Sequence, residues 1–308
     1  MKYEKHLVLT FLALTCVHIS AQQVADTNFR PVIAKPEYTA GKGPVVAIDE
    51  GHNNFHTASG RYLPFARLLM FDGYTVNSYK GDFTGSQLKN VRILVIANAL
   101  NKINIENWYV PTPSAFSGDE IGIVRKWVEN GGSLFLIADH MPFGGAASDL
   151  ASVFGFTFSN GFAADTSKPG NIFFYRKDGS LASCPITNGR NPDETVNKVV
   201  TFTGQAIRMP AGATAILRFD DRYLLMETDT AWVFDSHTRY TRIRDWSQGA
   251  FMKYGKGRIV MFGEAAMFSA QLAGAAKNKI GMNSDYAGEN YKLLLNIIHW
   301  LDGKIECG

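Results

Sequence analysis

Hydrophobic positions along the chain fall into short unbroken runs, each followed by a stretch with helical spacing. VVAID at 45–49 is such a run, with glycine and proline before it and polar residues after it. A strand buried on both faces of a parallel sheet reads this way. Residues 64–71 (PFARLLMF) predict a helix, with proline in the first turn and Gly73 just beyond the end. The runs at 74–79 and 91–99 predict the next two strands. Ser117 and Glu120 have the spacing of a capping box, Ile121, Val124, Trp127 and Val128 follow on one helical face, and Gly131-Gly132 ends the helix. A strand is expected over 133–140, another over 258–268 running into a turn, and an amphipathic helix over 285–301. This alternation predicts an α/β fold of the flavodoxin-like, doubly wound kind, with a mainly parallel sheet.

Between about 165 and 250 the pattern changes to short β-like runs (NIFFYR, TAILRF, YLLMET, TAWVFD) separated by glycine, proline, asparagine and aspartate. We expect an antiparallel β-rich insertion packed on the main sheet, within a single domain at 44–308. Residues 22–43 contain few apolar side chains and include Pro31, Pro36, Gly41 and Gly43, as a surface leader would.

The chain has 308 residues, 46% hydrophobic and 19% charged, a profile for a folded globular protein. Its net charge of +3 is spread without a basic run interleaved with aromatics, which argues against nucleic acid as a partner. Lys2 and Lys5, the apolar run at 7–17 and then Ile19-Ser20-Ala21 make the pattern of a secretory signal. Cleavage after Ala21 would deliver the protein to the periplasm or the outside. The run is too short to span a bilayer, and no later stretch is long enough. Cleavage also removes Cys16 and leaves Cys184 and Cys307, which an oxidising compartment would allow to pair or leave as free thiols.

In open parallel sheets ligands sit at the carboxyl ends of the strands. There the sequence places Asp49-Glu50-Gly51-His52-Asn53-Asn54 with His56 behind, Asn98, the pair Asp139-His140, and Gly263-Glu264. Glu50, His52, Asp139, His140 and Glu264 are the expected catalytic groups, since an imidazole beside a carboxylate makes an acid–base pair that works near neutral pH. The same residue types hold divalent metals, but no HExxH or H-x-H spacing is present, so a metal cofactor is left open. Asn53, Asn54, His56 and Asn98 would bind a hydroxyl-rich ligand, and Trp108 and Tyr109 would stack on a sugar ring. Plainer roles compete. Asp49 and Glu264 suit turn and helix caps, and neighbours in a strand point to opposite faces, so Asp139 and His140 share a site only if the strand has already ended. Asp235-Ser236-His237 spells a hydrolase triad, but sequence neighbours cannot form that relay. His299, in the last helix, reads as a satisfied, partly buried histidine, and Gly144-Gly145 is a weak signal for an anion.

The order strand-IDEGH, strand-VIANA, helix-NGG, strand-LIADH and GRIVMFGEAAMF resembles the class I glutamine amidotransferase-like superfamily, over most of 44–160 and 250–302. More closely, it is similar to secreted, uncharacterised amidotransferase-like domains of polysaccharide-degrading bacteria. The resemblance implies the same sheet and crevice. It departs where the chemistry lies. Amidotransferases carry a nucleophilic cysteine on a tight turn after the fourth strand, where this chain has Ile137-Ala138-Asp139-His140. Their late histidine is replaced by Phe262-Gly263-Glu264. A thioester mechanism therefore lacks its nucleophile and base. The expectation is a hydrolase-type activity on a polar, carbohydrate-like substrate. The alternative is a non-catalytic module that binds a polysaccharide-derived ligand or an envelope protein.

Overall fold

The computed structural model describes residues 23–168 and 170–306. The signal sequence expected at 1–21 and Cys307 lie outside the described residues, and with them the cleavage site and any pairing of Cys307. Cys184 is a free, buried thiol.

The main sheet is built on five parallel strands: β1 (Val45–Asp49), β2 (Thr75–Tyr79), β3 (Ile93–Ala97), β4 (Ser133–Ile137) and, late in the chain, β6 (Gly257–Phe262). They lie in the order β2-β1-β3-β4-β6, and the long strand β5 (Ser247–Tyr254) joins the far side antiparallel to β6. Every residue of β3 and β4 is buried, as expected of strands covered on both faces. Helices α1 (Leu63–Phe71) and α4 (Asn290–Asp302) cover one face, where Phe65, Leu69, Leu294 and Ile298 meet Val95 and Phe135. Helices α2 (Gly118–Glu129) and α3 (Phe143–Ser152) cover the other, where Val124, Val128 and Leu150 meet Leu94 and Leu136. The fold is thus a doubly wound α/β sheet.

The antiparallel additions take two forms. Thr214–Arg218 and Ile207–Arg208 pair with β5 and widen the main sheet. Phe162–Asp165, Tyr223–Glu227 and Arg239–Arg242 make a separate three-stranded sheet, and Ile172–Tyr175 pairs with Lys198–Thr201. The leader begins with a strand, Gln23–Ala25, hydrogen-bonded to Ala270–Ala273, which in turn pairs with Asn278–Gly281.

Three weaker sequence signals have plain structural roles. Asp235, Ser236 and His237 form an exposed turn in which the His237 amide donates to Asp235 Oδ1 at 2.8 Å. His299 is buried, with Nε2 2.6 Å from Asp72 Oδ2. Gly144 and Gly145 lie within α3, and an added Cβ would run into the side chains of Gln205 and Thr112, so these glycines permit close packing and do not cradle an anion.

Candidate active site

The polar loop after β1 divides into two groups. Asp49 ends the strand fully buried and receives His52 Nδ1 at 2.9 Å. His52 Nε2 lies 2.8 Å from Glu120 Oε1. Glu120 is also the capping-box acid of α2: its Oε2 accepts the Ser117 amide at 2.9 Å, and its Oε1 accepts the Phe83 amide at 3.0 Å. Both imidazole nitrogens are therefore committed, and the ring is packed between Phe83 and Phe116. Burial opposes protonation of His52, but the Asp49 and Glu120 carboxylates outweigh it and raise its pKa. Glu120 is also penalised by burial, yet its backbone and side-chain donors, among them Ser117, His52 and Phe83, hold its pKa down at about 2. The result is a buried ionic staple fixing the loop to the start of α2.

The neighbouring polar residues hold the same loop. Asn53 adopts φ 49° and donates to the Leu100 carbonyl, Asn54 donates to Asp49 Oδ2 at 2.9 Å and accepts the His52 amide, and Glu50 accepts the Ala58 amide at 2.8 Å. The structure brings none of Glu50, His52, Asn53 or Asn54 to the cleft described next, contrary to the sequence reading. The reason is local: a sharp turn after a buried strand must satisfy its own polar groups, so Glu50 and Asn54 accept backbone amides, Asn53 donates to a carbonyl and His52 joins two carboxylates.

The cleft opens instead around Asp139 and His140 and has a volume of about 490 Å³. Strand β4 stops at Ile137, so Asp139 and His140 sit on the turn that follows and line the same cavity. Asn98, itself at φ 50°, sets that turn by accepting the Asp139 amide on Oδ1 at 2.8 Å. Its Nδ2 lies 3.2 Å from His56 Nδ1, which makes that nitrogen the acceptor and leaves the ring proton on Nε2, an atom with no protein partner. Burial, aided by the Arg61 charge, lowers the His56 pKa to about 3, so it is neutral at physiological pH.

His140 is held in the opposite tautomer. Its Nδ1 donates to the Met141 carbonyl at 2.6 Å, which leaves the Nε2 lone pair uncommitted. The ring stacks on Phe162 at 4.5 Å and meets Trp232 edge-on at 4.6 Å, with Trp108 and Phe143 completing the aromatic surround. Asp139 Oδ1 accepts the His140 amide at 2.8 Å. Behind it Glu264 is fully buried and accepts the Ala266 and Met267 amides at 3.0 and 2.7 Å. Burial, reinforced by the Asp139 charge, raises the Glu264 pKa well above the carboxylate range. Glu264 is therefore capped by the backbone behind the cleft and does not line it.

Of the residues expected from the sequence, Asp139, His140, His56, Asn98 and Trp108 meet in the cleft. Tyr109 does not; it is half exposed on the rim, bridged to Thr230. The opposite wall was not legible in advance: Trp232 comes from the insertion, and Gln271, Lys279 and Tyr286 from the late strands and their turn. Gln271 was discoverable only as a polar residue in a short late strand, which is no signal by itself. Among the described residues no three His, Cys, Asp or Glu side chains form a group that could hold a metal ion. Among the same residues no helix is long and apolar enough to cross a membrane.

The chain matches no protein-family model, and no curated protein matches it by sequence. Among solved structures it is similar to the N-terminal domain of IFT52, at 15% identity over 83% of this chain and 96% of that one, with a TM-score of 0.56. That likeness shows a shared fold. A ThuA-like protein from Bacteroides uniformis aligns at 11% identity over 90% of this chain and 96% of its own, with a TM-score of 0.47. A protein from Thermoplasma acidophilum named for GMP synthase aligns at 12% identity over 85% and 96%, with a TM-score of 0.42.

Proposed function

We propose that the cleft binds a neutral, hydroxyl-rich ligand of carbohydrate type and hydrolyses it, in a protein exported after cleavage near Ala21. The observation that carries this reading is His140: Nδ1 is locked to a backbone carbonyl while Nε2 keeps its lone pair in an aromatic cleft beside a carboxylate. In this scheme Nε2 takes a proton from the attacking water as its oxygen bonds to the acetal carbon, the glycosidic C–O bond breaks, and the imidazolium, stabilised meanwhile by Asp139, returns the proton to the departing oxygen. Asn98 and Gln205 are positioning residues that hold the Asp139-His140 turn, and Trp108 offers a face to a sugar ring. Glu50, His52, Asn53 and Asn54 serve the loop behind it.

We also place the chain in an amidotransferase-like branch without the thiol nucleophile. Cys184 supports this, since it is packed in the core that contains Phe174 and Leu217, with its own amide bonded to Thr187, and takes no part in the cleft.

The test is release of reducing ends from a panel of neutral polysaccharides by the protein lacking residues 1–21. General acid–base groups contribute roughly 10²–10⁴-fold, so His140→Ala is expected to lower turnover by at least about 10² while leaving binding measurable. Turnover that survives His140→Ala unchanged removes the catalytic assignment. A second reading has an observation of its own: Asp139 and Glu264 already accept backbone amides. It makes the site a non-catalytic module for a glycan or an envelope protein. Binding without turnover on every substrate favours that reading.

A further inference from the structure

The cleft does not end at Trp232. On the other side of this residue lies a second cavity of about 660 Å³, which shares Trp232, Phe202 and Thr203 with the first. Its remaining surface is mainly apolar and aromatic, with Phe162, Met226, Phe234 and Tyr240. Each cavity alone has the size of a small-molecule site; adjoining along Trp232, Phe202 and Thr203, they suit something longer.

Trp232 is held there against its own backbone preference. Its φ is 68°, in the left-handed region that a bulky residue adopts only when its surroundings impose it. The surroundings are two straps tied together. The Ala231 amide donates to the Trp108 carbonyl at 2.8 Å, the Val110 amide to the Asp229 carbonyl at 2.9 Å, and Tyr109 bridges Thr230. Trp232 stays 54% exposed while its indole meets both His140 and Phe162 edge-on, at 4.6 and 4.8 Å. A strained backbone that holds a large aromatic face in solvent, between two cavities and over the candidate base, calls for a ligand. Among the described residues the second cavity is lined by no basic side chain and by one carboxylate, Asp165, so it does not suit an anion, and its aromatic faces suit the apolar face of a neutral ring.

We infer that the two cavities are successive subsites for one neutral oligosaccharide chain, with Trp232 as the wall between them, stacking on the chain where it passes and setting the preferred length. This rests on reading the first cleft as a carbohydrate site. It adds that recognition extends away from His140 along the insertion.

The experiment is calorimetric titration of the protein lacking residues 1–21 with gluco-, xylo-, manno- and N-acetylglucosamine oligosaccharides of one to six units. For a series that binds, affinity is expected to rise at least tenfold from the shortest to the tetrasaccharide. Trp232→Ala is expected to flatten that rise to under threefold. Tyr240→Ala, in the far cavity, weakens only the longer members and leaves the fold aside as an explanation, since this side chain is 58% exposed. A series bound equally at all lengths, or Trp232→Ala and Tyr240→Ala weakening every length alike, overturns the extended site and leaves the cleft reading standing. No binding by any series overturns both.

Discussion

His52 shows how a residue type that suggests chemistry can be consumed by architecture. With one carboxylate on each ring nitrogen, it has no free nitrogen left for a substrate. Breaking a buried, hydrogen-bonded charge pair by removing one partner costs about 3–5 kcal/mol. His52→Ala is expected to lower unfolding free energy by about 3 kcal/mol in urea titrations. The sign of the pH dependence follows from the shifts. The pKa of His52 is raised by folding, so its contribution is complete below the unfolded value of about 6.5 and is lost as pH climbs through the folded value. The pKa of Glu120 is depressed to about 2, so its contribution is present above the unfolded value and is lost as pH falls toward about 2. Melting of wild type, His52→Gln and Glu120→Gln between pH 3 and 9 should show the gap to the variants widest near pH 5–6, closing toward both ends. A constant gap would show that the pair is not ionised.

At the scale of elements, capping and glycine placement were readable because they are local. The capping box of α2 is present as its four-residue spacing implied, and β1, β3, β4 and β6 lie where unbroken apolar runs stood. What that spacing could not disclose is that Glu120 also reaches a histidine 68 residues away. Similarly, Asp139 and His140 became neighbours in one cleft only because β4 ended at Ile137, before both of them, and strand ends are the least legible feature of a hydrophobic run. Two glycines separate the helix types experimentally. Gly122 faces open space in the middle of α2, so Gly122→Ala is expected to stabilise by about 0.5–1 kcal/mol. Gly145→Ala in α3 would collide with Thr112 and is expected to destabilise by about 1–3 kcal/mol. Thermal melts of the two variants should move in opposite directions.

Across the whole molecule, the parallel sheet supplies the floor of the cleft and the antiparallel additions supply its far wall. The first was written as strand–helix alternation; the second was legible in part, since NIFFYR, TAILRF and YLLMET hold the strands Ile172–Tyr175, Thr214–Arg218 and Tyr223–Glu227, whereas TAWVFD, expected as a strand, is the turn that carries Trp232. The N-terminal strand Gln23–Ala25 lies against Ala270–Ala273, and both Gln23 and Gln271 face the cleft. Deleting Gln23–Ala25 unpairs an edge and takes a side from the cavity, so a lower melting temperature and weaker oligosaccharide binding are expected together; loss of stability with unchanged affinity would detach this strand from the site. There is a consequence for synthesis. Asp139 and His140 emerge from the ribosome long before the residues around 271–286 that face them, and the opening strand waits for the same late partner. A chain cut short in between carries Asp139 and His140 without the residues that face them, so the proposed binding requires synthesis to have passed Tyr286.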